Sequence, residues 1–409
     1  MALGGRLFAL ALFGFSVPAL AYPILHERLS VDPSEDAALS DAGQGELSSA
    51  LRTPSGIAVA PDLTRPADPR TLYNSSEIAP FQPDRDTRRP EVERYDDPFS
   101  PVVTPFKRSY AYDAVRDDYR LYVRDSELRP IHLGGEVNAH DDGFFGDLTI
   151  MAAPGAKVRI PTVGPGARLI KLTTRPRRDL RVWRDGADNW FVTAEATGRI
   201  RLVTELAIER EVFASTYDDV DWSRLRRVPL QPARHRRAFS KVARAIGIAR
   251  HSMRPKDVVA KMVAYFRSFA PSAELPAEHA DIYLDLALGR KGVCRHRAFA
   301  FLVTALNVGI PARLIHNEAH AWVEVHDGGR WRRIDLGGAA SDLAQTSQGD
   351  RPSHQPPPDR FAWPKGRDSG AELARRERME AADSSSSTES GEGNEPSQPS
   401  PPSVTPQKS

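Results

Sequence analysis

Two short alternating runs on either side of Asp327-Gly328 restrict this chain more than any other feature. His320 to Val325 and Trp331 to Asp335 each read as a strand, and Ala312 to His316 reads as a third. Asp-Gly between two such runs favours a two-residue hairpin loop, because that turn needs positive φ at its central residues. Such a loop sets the register, since paired residue numbers must sum to a constant. With Asp327-Gly328 as the loop, His326 faces Gly329, Glu324 faces Trp331, Trp322 faces Arg333 and His320 faces Asp335. Directly opposed Cβ atoms lie about 4.5–5.5 Å apart, so an imidazole comes against a carboxylate. A three-residue loop would slip the register by one and send the two side chains to opposite faces.

A sheet with one apolar face needs a covering layer, and the sequence offers a helix. Cys294 to Leu306 contains neither Pro nor Gly. Ala298, Phe301, Leu302 and Ala305 follow the i, i+3, i+4, i+7 spacing, and Cys294 heads the same stripe. Gly309 and Pro311 stop the helix. The thiol thus stands in the first turn, where the partial positive charge of a helix start favours a thiolate. Arg290, Lys291, Arg295 and Arg297 surround it, most of them reading as a solvated basic flank. A thiol, an imidazole and a carboxylate are the parts of covalent acyl transfer. In that reading Cys294 is the nucleophile, His320 its base, and Asp335 the group that orients the base. His296 and His316 are the other candidate bases. His296 lies two positions from the thiol on a helix and points away from it, while His316 falls on the neighbouring strand.

The start of the chain bears on its compartment. Arg6, the apolar run Leu7 to Val17 and Ala19-Leu20-Ala21 read as a signal peptide over 1–21, cleaved before Tyr22. The run is shorter than the about 20 residues of a spanning helix. The expectation is a mature chain without a membrane span, periplasmic or secreted. Cys294 is the only cysteine, so no internal disulfide can form. The 56 basic and 54 acidic residues leave a net charge of +2, which gives no electrostatic case for a nucleic-acid partner.

Composition then divides the chain. Residues 22–107 are rich in Pro, Asp, Arg and Ser and read as extended or disordered. Asn74-Ser75-Ser76 matches a glycosylation sequon, which matters only in a eukaryotic secretory route. Between 108 and 225 the apolar period is two, as at Val158/Ile160 and Ile200/Leu202, with Gly/Pro turns between runs; this predicts an all-β sandwich. His140-Asp141-Asp142-Gly143 with Asp147 lacks EF-hand spacing and reads as a solvated hairpin turn rather than a calcium loop. From 226 to 345 the pattern is helical and then stranded. Phe239, Val242, Ala243 and Ile246 share one helix face, and Val258, Met262, Tyr265, Phe266 and Phe269 share another after Pro255. Residues 346–409, with Pro356-Pro357-Pro358 and Ser384 to Ser387, read as a disordered tail.

Gly292-Val293-Cys294, Gly309-Ile310-Pro311-Ala312-Arg313, His320-Ala321-Trp322-Val323-Glu324-Val325 and Ile334-Asp335 together resemble the core of the transglutaminase-like superfamily. The resemblance spans about Ala238 to Gly338. It implies an α+β papain-like fold, with the cysteine helix on an antiparallel sheet and Cys294, His320 and Asp335 at the three catalytic positions. Many members follow that Asp with Pro, where this chain has Leu336. The implied activity is attack on a carboxamide or peptide bond of a protein or peptide substrate, with amine or water as acceptor. No cofactor or metal is expected; the calcium dependence of animal members does not carry over to these acidic clusters. The alternative is a non-catalytic peptide-binding or scaffolding module on the same fold. A metal hydrolase built from His316, His320 and Asp335 lacks any short ligand motif.

Overall fold

The computed structural model describes residues 50–53, 56–60, 72–73, 80–87, 107–213, 217–272, 274, 279, 281–317 and 320–337. The expected leader at 1–21, its cleavage point and the tail over 346–409 lie outside the described residues. The fold is α+β, with antiparallel sheets and four helices among the described residues: α1 (Ala233–Ile246), α2 (Pro255–Arg267), α3 (Ile282–Gly289) and α4 (Cys294–Val308). No described helix is long and apolar enough to cross a membrane.

The core sheet runs in the order Trp331–Ile334, Ala321–His326, Ala312–His316, Tyr110–Tyr112, each pair antiparallel. Its fourth strand comes from the stretch expected to open the β-rich domain. α4 covers this sheet: Ala298, Phe301, Leu302 and Ala305 are all buried, in one cluster with Leu314, Val323, Val325 and Ile334. The helix ends where the sequence says it should, with Gly309 left-handed at φ 95°. α2 starts on Pro255 and sends Phe266 edge-on against Phe301, ring centroids 5.8 Å apart. α3 is not foreseen by periodicity because Ile282–Gly289 is apolar almost all round, the mark of a buried helix. Its one local signal is Asp281, whose carboxylate accepts from the Leu284 N–H at 3.2 Å.

The hairpin register differs from the expected one. His326 pairs with Trp331, Val325 with Arg332, Glu324 with Arg333 and Val323 with Ile334. The loop therefore holds four residues, 327 to 330, and the Asp327 N–H donates to the Arg330 carbonyl at 3.0 Å. The cause is the Asp327 side chain. It is fully buried and accepts from the N–H groups of Gly329 (3.0 Å) and Arg330 (2.8 Å), besides pairing with Arg332. A side chain that bonds the backbone ahead of it builds its own turn. The slip is two residues, an even number, so every side chain keeps its expected face.

Two further four-stranded sheets make up the β-rich part. One has the order Arg168–Arg175, Gly198–Glu209, Asp141–Ala152, Leu72–Tyr73; the other Arg129–Pro130, Leu180–Arg184, Trp190–Ala194, Lys157–Ile160. Phe144, Leu148, Leu202, Val158, Trp190 and Val192, from both sheets, lie in one buried cluster. Asp141 and Asp142 do not form the expected solvated turn. They begin the twelve-residue strand Asp141–Ala152, which also holds Asp147, and all three are buried. Each faces an arginine: Asp141 with Arg168, Asp142 with Arg210 at 2.8 Å and Asp147 with Arg201 at 2.9 Å. Buried carboxylates persist only when paired, which explains the acid cluster without a metal.

Within the stretch 22–107, read as extended or disordered, the described residues include short strands. Ala50–Thr53 and Gly56–Val59 pair as a hairpin, and Leu72–Tyr73 joins a sheet in parallel. Residues 80–87 lie along the core, with Arg85 bonded to the buried Asp285 at 2.6 Å and Thr87 to Ser272 at 2.9 Å.

Candidate active site

Cys294 is the first residue of α4 and is 4 % exposed. The turn that delivers it needs Gly292, whose φ is +147° and whose added Cβ would meet the His296 Cβ at 2.5 Å. The residue before the thiol, Val293, has no side-chain acceptor with which to cap the helix. Its own N–H donates instead to Nδ1 of His296, at 3.2 Å. Cys294 thus stands at an end of the helix where N–H groups lack intrahelical partners.

His320 precedes the strand Ala321–His326 and is held by a reciprocal pair of bonds. Its N–H donates to Oδ1 of Asn317 at 2.7 Å, and its carbonyl accepts from the Asn317 N–H at 3.0 Å. Asn317 is anchored in turn by donating to the Lys107 carbonyl at 2.9 Å. The imidazole lies beside Trp322, ring centroids 6.0 Å apart. Its Nε2 is 2.9 Å from Oδ2 of Asp335. Because the register has slipped, the two residues are diagonal rather than directly opposed, still within reach of these side chains on one face.

Asp335 is itself tied down. Oδ1 accepts from the Gly337 N–H at 2.8 Å, and its carbonyl accepts from Arg267 Nε at 3.0 Å and Nη2 at 2.6 Å. Arg297 donates to the Leu336 carbonyl at 2.7 Å and to the Phe269 carbonyl. It is buried, so this member of the basic group does not belong to a solvated flank. Its guanidinium helps hold the segment that presents Asp335.

Burial by itself would push the His320 imidazole down. The Asp335 carboxylate, in contact and hydrogen-bonded, together with the Cys294 sulfur, carries it up to about 10. Asp335 shows the reciprocal effect: burial would raise its carboxyl, yet His320 and then Arg333 hold it well below the usual range. With Nε2 given to Asp335, Nδ1 is the nitrogen left for the thiol, and it is buried without another hydrogen bond. The neutral ring takes the sulfur's proton on Nδ1, the raised value favours the imidazolium so formed, and that imidazolium can return the proton later. The structure therefore brings Cys294, His320 and Asp335 into one cluster.

The two other histidines are elsewhere. His316 stacks on Tyr110 with centroids 4.7 Å apart, and burial lowers it to about 4. His296 spends both ring nitrogens away from the sulfur, one on Val293 and one on Asp84. No group of three or more His, Cys, Asp or Glu among the described residues is arranged to hold a metal ion. Sequence reasoning missed Asn317, Arg267 and Asp84. Asn317 alone carries a local signal, as a turn-forming residue three positions before His320.

Residues 242–336 match the transglutaminase-like superfamily. No curated protein matches the chain. Among solved structures it is similar to the periplasmic domain of TgpA from Pseudomonas aeruginosa, with 19% identity over 56% of this chain and 81% of that one and a TM-score of 0.33. The same domain bound to ethylmercury gives 19% identity, 56% and 83% coverage and a TM-score of 0.34.

Proposed function

Since residues 242–336 carry a core of the transglutaminase-like superfamily, we propose that this chain is an exported, thiol-dependent acyl-transfer enzyme with Cys294 as nucleophile, His320 as general base and acid, and Asp335 as the group that orients it. The observation that carries the proposal is the 2.9 Å bond between His320 and Asp335 beside the chain's only thiol. Export rests on the leader-like run from Arg6 to Ala21.

The chemistry follows from these groups. His320 takes the thiol proton, and the Cys294 sulfur attacks the carbonyl carbon of a side-chain carboxamide or peptide bond in a protein substrate. The C–S bond forms while the carbonyl electrons move onto oxygen. In this reading the Cys294 N–H, one of the orphan donors at the start of α4, receives that negative charge. As the intermediate collapses the C–N bond breaks, and His320 hands its proton to the departing ammonia or amine. A thioester remains. An amine or water then attacks it, gives a proton to His320, and frees the sulfur. Asp335 keeps its charge throughout and stabilises the imidazolium. Every step uses the same three side chains, whichever acceptor is used.

The slight exposure of Cys294 favours a competing reading, a non-catalytic module that only presents a peptide groove. Both readings are tested by incubating the purified protein and its Cys294→Ala variant with a protein mixture and a labelled primary amine, followed by mass spectrometry. Label attached to glutamine side chains only with the intact thiol indicates transfer, and cleaved or deamidated products without label indicate hydrolysis. Identical products from both proteins would overturn the enzymatic reading.

A further inference from the structure

α4 starts poorly by the usual rules. Its N-cap is Val293, whose side chain has no oxygen to offer the N–H groups of the first turn. A cap of Ser or Asp would accept from those donors and occupy them. Here the cap works only in the reverse direction, with the third helical residue, His296, accepting from the Val293 N–H through Nδ1 at 3.2 Å. The ring proton is then on Nε2, and Nε2 lies 3.1 Å from Oδ1 of Asp84. His296 is 1 % exposed, and both of its nitrogens are used in this one tautomer. Gly292 makes room for the ring, because any Cβ there would strike it.

Asp84 comes from residues 80–87, which lie far before the family match in the sequence and along the core in space. Its carboxylate also accepts from the Asp86 N–H at 2.8 Å and from Arg295, whose Nε is 2.9 Å from Oδ2 and whose Nη2 is 3.1 Å from Oδ1; Nη2 also donates to the Asp86 carbonyl at 2.7 Å. Burial would raise the Asp84 carboxyl, but the bonds from His296 and Arg295 hold it well below the usual range. The strand-like segment is pinned on both sides of Asp84. The Phe81 carbonyl accepts from the Leu121 N–H at 2.8 Å, and the Thr87 carbonyl accepts from the Ser272 N–H at 3.1 Å.

We propose that Asp84 and His296 are positioning residues for the acyl-transfer step: a second carboxylate–imidazole pair that holds the Val293 N–H, and so the backbone turn leading into Cys294, in the orientation that points the Cys294 N–H at the developing oxyanion. The pair has the form of His320 and Asp335 but a different target, a backbone N–H in place of the thiol. This assignment rests on the acyl-transfer reading above. It differs from a plain structural role in what it affects. Alkylation of the sulfur passes through no oxyanion, whereas acylation does, so only acylation should depend on the pair.

The test uses the full chain and two probes, iodoacetamide for alkylation and a p-nitrophenyl ester for acylation, read as a burst of nitrophenolate. His296→Ala and Asp84→Ala should each slow the burst by about 10- to 100-fold, the cost of a donor moved by a fraction of an ångström to an ångström. KM for the ester and the alkylation rate should stay within about twofold of wild type, because neither depends on the donor's aim. His296→Asn keeps an acceptor near Nδ1 and Asp84→Asn keeps one near Oδ1, so both should recover most of the rate. If His296→Ala fails to fold, Asp84→Ala carries the test alone, since its side chain is about half exposed. An unchanged burst in the alanine variants, or one that falls in step with alkylation, overturns the positioning role and leaves the acyl-transfer reading intact. No burst from wild type, or a full burst from Cys294→Ala, overturns that reading and this one with it.

Discussion

His320 is pulled two ways, toward neutrality by its burial and toward the charged form by Asp335 and Cys294, and the charged partners win. Replacing Asp335 with Asn keeps the shape and removes the charge, so acyl transfer should fall by about 10²–10⁴-fold, the usual worth of a positioned base. The same pair makes stability depend on pH. The imidazole is raised from 6.5 to about 10, so its contribution is complete below 6.5 and disappears as the pH climbs through 10. Asp335 is lowered from 3.8, so its contribution is complete above that value and is lost on acidification. The stability gap between wild type and Asp335→Asn, from denaturant melts, should therefore be widest from about pH 4 to 6.5 and close toward pH 10. A gap that grows with alkali would contradict the ion pair. At Gly292 the backbone decides. Gly292→Ala should cost about 1–3 kcal/mol in the same melts, because the new Cβ meets His296 in a region of φ that side chains avoid.

The hairpin shows which part of an element's geometry matters. Asp-Gly signals a reversal, and a reversal is there, but the Asp327 carboxylate captures two N–H groups ahead of it and widens the loop from two residues to four. The pairing of His320 with Asp335 survives that change because two is even and the faces are unchanged. An odd change is another matter. Deleting Gly329 should shift Trp331–Ile334 by one and carry Asp335 to the opposite face from His320. The variant should alkylate at Cys294 yet show no acyl transfer above background; retained transfer would mean that the loop absorbs the deletion.

At the scale of the whole molecule, buried charge ties the core sheet to the β-rich part. Glu324, wholly buried in the strand Ala321–His326, accepts from Arg108 at 2.8 Å and lies 3.6 Å from Arg313. Arg108 also donates to the carbonyls of Ala187 and Asp188, and Arg313 to that of Gly186, all in the turn between Leu180–Arg184 and Trp190–Ala194. Glu324→Gln leaves two buried guanidinium groups without their shared counter-charge, and should cost about 3–5 kcal/mol in chemical denaturation. A loss under about 1 kcal/mol, the range of an exposed pair, would show that water reaches this network.

Local pattern alone determined the helix headed by Cys294, its stop at Gly309, the strands on either side of Asp327, and hence the face shared by His320 and Asp335. Each follows from periodicity and turn chemistry within a few residues, where the physics is short-ranged. Tertiary structure decided the rest. α3 has no stripe to read because it is buried all round. Asp141, Asp142 and Asp147 look solvated until the arginines that neutralise them are brought in from 27 to 68 residues away. Asp84 lies 212 positions from His296, and no local rule links a carboxylate in a proline-rich stretch to a helix that far along the chain. Only the folded chain, by burying His296 so that both nitrogens need partners, selects that acid as its neighbour.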